Sequence, residues 1–269
     1  MINFVCALLP EAIPLIEDLD LQKQRLVSPF ALFKNESHQL VVSGMGKQNI
    51  ATAIGFLHGI APNKHTPWLN FGLAGHGNAP LGTACQIIKC TDTTTQKSFY
   101  PPPIFSTQLT KTILHTCDQP SIEYQAETAY DMEGSAFFET ATRFCPRELV
   151  QSVKIISDNP ESPLSHFDKS KVSSLITPSI PIIKKLIEEM EIITEELTPP
   201  LELENTFQEI TRQYSLTETQ VHQVSKMIRQ AHLLELPLSE ILTLFKNSSN
   251  IKSALSLSNQ LLEERKIFP

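Results

Sequence analysis

"HQLVVSGMGKQNIATAIGFLHGIAPNKHTPWLNFGLAG", residues 38 to 75, decides the fold class. It opens with a short β-branched run, "HQLVV", closed by a serine and a glycine. "KQNIATAIGFLHGI" follows, with apolar residues at three- and four-residue spacing, the period of a helix with one buried face. "WLNFGLAG" is a second apolar run that ends in a glycine turn. Strand, helix and strand in that order predict a sheet with parallel pairs and helices laid on its faces.

Working outward, the same alternation continues. "INFVCALL" reads as a buried strand, and "RLVSPFALF" pairs with "HQLVVSG" through the polar "KNES". "ACQIIKCTD" is a further strand and "LVQSVKIISD" a β-branched one ending in an acid. Residues 132 to 144 read as a helix, with Asp131 and Glu133 at its start, where acids suit the helix dipole. "SKVSSLITPSIPIIKKLIEEMEIITEEL" is helical, with Pro178 and Pro181 expected to delay or kink it.

Composition marks a boundary. All nine glycines lie at or before Gly134, and all five cysteines at or before Cys145. We therefore expect an α/β domain over residues 1–194 and a helical C-terminal region over 195–269. "LTPPLELE", residues 197 to 204, reads as the linker. Beyond it, Thr217 and Gln220 form a Thr-x-x-Gln capping pattern, and Val221, Val224, Ile228, Ala231 and Leu234 line one helix face. "LSEILTLFKN" and "NIKSALSLSNQLLEERKIF" read as two more helices.

Charge and cysteine use narrow the function classes. Net charge is −7, and residues 195 to 269 hold ten acids against seven Lys or Arg. Both facts argue against nucleic acid as a partner. No run of 18 apolar residues is present, so no membrane span is expected. The first 20 residues lack the basic n-region of a signal peptide. Five cysteines without a CxxC pair predict reduced, buried thiols in a cytoplasmic protein, and no histidine spacing suggests a metal.

Polar groups cluster where an α/β sheet places its site, at the carboxyl ends of strands. They are Glu11 after "FVCALLP", the turn "SGMGKQN", the turn "NFGLAGHGN" and "ISDN". "GMGKQNIA" lacks the third glycine of a dinucleotide fingerprint, "GLAGHG" is not followed by an obvious long helix because Pro80 and Gly82 intervene, and no GxxxxGK[ST] loop is present.

In this order, "FVCALLPEAIPLI", "SGMGK", "NFGLAG", "YDMEGSAFFETATRF" and "VKIISD" resemble purine nucleoside phosphorylases and methylthioadenosine/S-adenosylhomocysteine nucleosidases. The resemblance covers about residues 1 to 190. It implies a phosphorylase-like three-layer sandwich with a mixed central sheet, to which the helical region is an addition. It also implies hydrolysis of the N-glycosidic bond of a small-molecule purine nucleoside or thionucleoside, no cofactor, and a homo-oligomer, a dimer or hexamer. By the same resemblance Met132 and Glu133 hold the ribose, and Asp158 protonates the purine at N7. Glu11 orients the attacking water, and Gly46, Ala74, Gly75 and Ser157 belong to the binding turns. The acid must hold its proton near neutral pH, which burial favours, while Glu11 must ionise.

Three departures shape the expectation. Leu73 stands where the family has a serine, and "LPEAIPLIEDLDLQKQ" has no Arg, so hydrolysis is expected over phosphorolysis. The stretch between Asp92 and Tyr130 is short, which leaves Phe99 or Tyr100 as candidates to stack on the base. Pro10 adjoins Glu11, and the acids beside it are missing. A non-catalytic nucleoside-binding or accessory role is the alternative.

Overall fold

The computed structural model describes residues 1–63, 65–121, 123–163 and 169–267. The chain divides into two units, Met1–Leu197 and Thr198–Pro269.

The first unit is mixed α/β. Its first half runs β1 (Ile2–Cys6), α1 (Leu9–Asp18), β2 (Gln22–Lys23), β3 (Ala31–Lys34), β4 (His38–Val42) and α2 (Lys47–Ile60). Strands β5 (Trp68–His76), β6 (Ala84–Asp92), β7 (Ser98–Phe99), β8 (Thr110–Thr116) and β9 (Thr128–Asp131) follow. Helix α3 (Gly134–Ala141), strand β10 (Val150–Asp158) and helices α4 (Lys169–Ile176) and α5 (Ile180–Leu197) complete it.

Side chains alternate across a strand, so a sheet buried on both faces carries apolar residues on both sides of its strands, and a buried polar one needs a partner. β1 shows both, for Asn3 Oδ1 accepts from Gln39 Nε2 of β4 at 2.6 Å. Ile2, Phe4 and Cys6 pack with Leu15 of α1, Val172 and Ile176 of α4 and Ile183 of α5. Val5, between them, packs with Ile50 and Ile54 of α2 and Phe137 of α3. Helices therefore cover both faces.

The sheet is mixed and curls on itself. β1 pairs in parallel with β4 and β5, and β5 in parallel with β10. β10 also pairs antiparallel with β6, β6 in parallel with β8, β8 with β9, and β9 antiparallel with β5. Strands β5, β9, β8, β6 and β10 thus form a closed ring, with β1, β4, β3 and β2 running out from β5. The alternation of strands and helices anticipates the mixed sheet. Closure into a ring has no counterpart in that pattern, because it needs β8 and β9, whose short, threonine-rich runs carry a weak apolar signal.

Three local readings change. Asp131 ends a strand, and the helix expected from residue 132 begins at Gly134, which leaves Met132 and Glu133 in the connecting turn. The helix expected across Pro178 and Pro181 is split into α4 and α5 by a 3₁₀ turn at Thr177–Ser179, since Pro178 cannot donate to the helical ladder. Of "RLVSPFALF" only Ala31, Leu32 and Phe33 enter the sheet, in β3.

The second unit is helical and has its own core. Helices α6 (Leu201–Gln213), α7 (Glu218–Leu233), α8 (Leu238–Asn247) and α9 (Ile251–Ile267) bury Ile210, Val224, Ile228, Ile241, Phe245 and Leu262 together. The capping box forms as the sequence predicts: Thr217 N–H donates to Gln220 Oε1 at 2.9 Å. The linker is shorter than "LTPPLELE", because helix α6 starts at Leu201 directly after Pro200. Helix α6 is the element the tail reading omits. Phe268, the last residue of the expected final helix, lies outside the described residues.

One polar cluster ties the ring together. The carboxylate of Asp131, at the end of β9, accepts from Thr116 Oγ1 of β8 and from the Gly134 N–H that opens α3, each at 2.8 Å. It also pairs with Lys154 Nζ of β10 at 2.9 Å, and both side chains are buried. Removing one member of a buried ion pair strands the other charge in a poor solvent. Lys154→Met is therefore expected to cost about 3–5 kcal/mol in urea unfolding; a loss of less than about 1 kcal/mol would show that the pair does not hold the ring.

Candidate active site

A cavity of about 530 Å³ opens at the carboxyl ends of β1, β5 and β10. Seven of the eight residues singled out from the sequence line it: Glu11, Ala74, Gly75, Met132, Glu133, Ser157 and Asp158. Gly46, the eighth, stands behind the wall, and its N–H donates to Glu133 Oε1 at 2.6 Å. That bond fixes the Glu133 carboxylate from the "SGMGK" turn, where Gly46 has φ of 96°. A side chain at that φ would be strained.

Each acid is aimed by local backbone. Glu11 lies in the first turn of α1, and its Oε2 accepts the Leu8 N–H at 3.1 Å. Its Oε1 accepts the Leu73 N–H of β5 at 3.4 Å. Asp158 depends on an irregularity. The register of β10 against β5 shifts between Ile156, opposite Ala74, and Asp158, opposite Gly75. The extra residue is Ser157. Without the bulge, Ser157 and Asp158 would point to opposite faces; with it both reach the cavity. Ser157 Oγ donates to Asp158 Oδ1 at 2.6 Å.

Lys154, two strand positions before Ile156, sits fully buried beneath the acids. Burial works to lower its pKa, but Asp131, Glu133 and Glu11 together hold the ammonium above its ordinary value. Glu11 is raised as well, by burial itself. Burial raises its carboxyl to about 7, with the charge of Lys154 opposing and that of Glu133 assisting. Burial and then Asp131 also raise Glu133. The site thus holds an acid that titrates near neutral pH, as a general base requires.

Other residues were not singled out in the sequence. Tyr124 and Tyr130 line the cavity, and the Tyr124 hydroxyl donates to Asp158 Oδ2. Met45, Leu73, Pro120 and Pro163 add apolar wall. Lys154 carried a signal, since a lysine inside a β-branched strand must find partners. Tyr124 carried none, because it comes from a loop without periodicity. Phe99 and Tyr100, expected to meet the base, line a different cavity with Phe138 and Arg147. The polar β6–β7 turn carries them away, and the aromatic residues that line the site cavity are Tyr124 and Tyr130. His76 faces Thr112 and accepts the Asn78 and Ala79 N–H groups on Nδ1, a structural role. Among the described residues no group of three His, Cys, Asp or Glu could hold a metal.

This architecture, a curled mixed sheet with helices on its faces, is the nucleosidase and nucleoside phosphorylase fold. It is shared with the 5'-methylthioadenosine/S-adenosylhomocysteine nucleosidase of Helicobacter pylori, solved with butyl-thio-DADMe-Immucillin-A, at a TM-score of 0.58 and 13% identity over 70% of this chain and 97% of that one. The Campylobacter jejuni nucleosidase gives 0.55 and 17% over 70% and 98%. The Arabidopsis thaliana 5'-methylthioadenosine nucleosidase in apo form gives 0.54 and 16% over 70% and 95%. No protein-family model and no curated protein matches the chain.

The Glu11 shift has a consequence for stability. The folded state keeps the Glu11 proton to about pH 7, whereas the unfolded chain releases it near 4.5. This contribution is complete below pH 4.5 and is lost as pH rises through about 7. Glu11→Gln removes the cost of burying a charge, so at pH 8 the variant is expected to exceed the wild type by about 1–3 kcal/mol. Urea titrations at pH 5 and pH 8 check this; an advantage larger at pH 5 than at pH 8 would contradict it.

Proposed function

We propose that the protein hydrolyses the N-glycosidic bond of a purine nucleoside or thionucleoside of the methylthioadenosine/S-adenosylhomocysteine type. The convergence of Glu11, Glu133 and Asp158 on one nucleoside-sized cavity carries this reading. Glu133 accepts hydrogen bonds from the ribose hydroxyls, with Met132 against the sugar. Asp158 gives a proton to the leaving purine at N7 as the bond between C1′ and N9 breaks and its electron pair passes to the base. Glu11 takes a proton from the water that attacks C1′. The two acids work on the oxocarbenium-like state from the leaving group and from the nucleophile. Ala74, Gly75 and Ser157 bring main chain and hydroxyl close to the base, and Gly46 orients Glu133. The products are the free base and the 5-substituted ribose.

Hydrolysis is favoured over phosphorolysis because among the described residues no Arg or Lys lines the cavity to hold phosphate, and Leu73 replaces a hydroxyl with an apolar side chain. The net charge of −7 suits a small-molecule substrate rather than nucleic acid. Five free thiols suit the reducing cytoplasm. A homo-oligomer and the three-layer arrangement belong to the same reading. So do the division of labour between a catalytic domain over residues 1–194 and a helical region over 195–269, and the absence of a cofactor.

Two assays test it. Purified protein is expected to release purine from methylthioadenosine, adenosine or inosine without phosphate, and Asp158→Asn to lower kcat/KM by about a hundred- to ten-thousand-fold. Release that is unchanged in the variant, or that requires phosphate, would overturn the mechanism. Because Glu11 must be ionised, kcat/KM is expected to climb between pH 6 and pH 8, through its value of about 7. A profile flat on that limb would remove Glu11 as the base.

A further inference from the structure

We infer that Tyr124 occupies, in the free protein, the place of the leaving base on Asp158, and that its displacement sets how tightly the site takes a purine. The inference rests on the nucleosidase reading above and adds to it a residue the sequence motifs do not contain.

Both oxygens of Asp158 already have donors. Ser157 Oγ holds Oδ1 at 2.6 Å, and the Tyr124 hydroxyl holds Oδ2. A purine nitrogen that takes a proton from Asp158 must come within hydrogen-bond distance of one of these oxygens. Ser157 is the poorer one to move. It is the neighbouring residue, sits in the β10 bulge, and its hydroxyl also lies 3.3 Å from the Ala74 carbonyl. Tyr124 comes from a loop and faces the cavity, where it lies partly exposed.

The loop is anchored on both sides of Tyr124, so the phenol arrives at a fixed place. Before it, Cys117 N–H donates to the Asp131 carbonyl at 2.8 Å, and Asp118 pairs with Lys47 at 2.7 Å. After it, Gln125 N–H donates to the Tyr130 hydroxyl at 3.0 Å, and Glu127 N–H to Asn78 Oδ1 at 3.1 Å. Gly75 makes room. A Cβ there would fall 2.7 Å from the Tyr124 hydroxyl and 2.8 Å from Asp158 Oδ2. The ring of Tyr124 stands 5.2 Å from that of Tyr130, and both rings line the cavity. A base that displaces the hydroxyl keeps the rings beside it, and the hydroxyl turns away with its own proton.

The two properties of Tyr124 separate by substitution. Tyr124→Phe removes the competing hydroxyl and keeps the ring. Tyr124→Ala removes both. Titration calorimetry with adenine and steady-state hydrolysis of methylthioadenosine, on wild type and both variants, read the difference. Tyr124→Phe is expected to lower the adenine Kd about three- to tenfold, since the hydrogen bond to Asp158 no longer has to be broken. KM should fall with it, and by more than kcat changes. Tyr124→Ala is expected to bind adenine more weakly than Tyr124→Phe. A misfolded or loosened site would weaken binding in both, so the gain in the Phe variant is diagnostic. Active wild type with an unchanged or larger Kd in Tyr124→Phe overturns the inference and leaves the nucleosidase reading intact. Wild type that neither binds adenine nor releases purine overturns both.

Discussion

Burying several carboxylates around one hollow is the constraint on which the structure turns. Each charge removed from water costs several kcal/mol unless a counter-charge or hydrogen bonds replace the solvent. The ammonium of Lys154 supplies that counter-charge. It pairs with Asp131 at 2.9 Å and acts through space on Glu133 and Glu11. Asp131 in turn fastens β8 and the start of α3, so the same contact that offsets the charge of the site also closes the strand ring around it. Fold and site share one electrostatic centre.

The counter-charge is incomplete, and that suits the chemistry. One cation faces three buried acids, and Glu11, held by the Leu8 and Leu73 N–H groups, keeps a carboxyl that titrates near 7. Full neutralisation would make it a weak base. No counter-charge at all would leave it protonated throughout. Proteins commonly keep such strained groups at the expense of stability, and the pH behaviour of Glu11 is one example of that exchange.

Much of this was legible in the sequence, for identifiable reasons. Strands β1, β4, β5, β6 and β10 announce themselves because burial on both faces gives them runs rich in apolar and β-branched residues. The acids were legible because they sit where such runs end. The ring was not, since β8 and β9 carry few apolar residues and the closing pairs, β9 with β5 and β10 with β6, join strands distant in the chain. The bulge at Ser157 was not, because one extra residue leaves no compositional mark; only its result, two adjacent polar residues reaching one cavity, reveals it. Asp131 looked like a helix-start acid and proved to end a strand. Tyr124 and the misassigned Phe99 and Tyr100 share a cause: loop aromatics are placed by tertiary anchors such as Asn78 with Glu127, which no local pattern encodes.

The central claim is that three carboxylates from separate parts of the chain surround one nucleoside. The most direct measurement is a crystal structure of the protein with a non-hydrolysable purine nucleoside analogue. The account predicts the ribose hydroxyls on Glu133, the purine N7 beside Asp158 and C1′ facing Glu11. An analogue bound elsewhere, or bound in this cavity with its sugar turned away from Glu133, would contradict it.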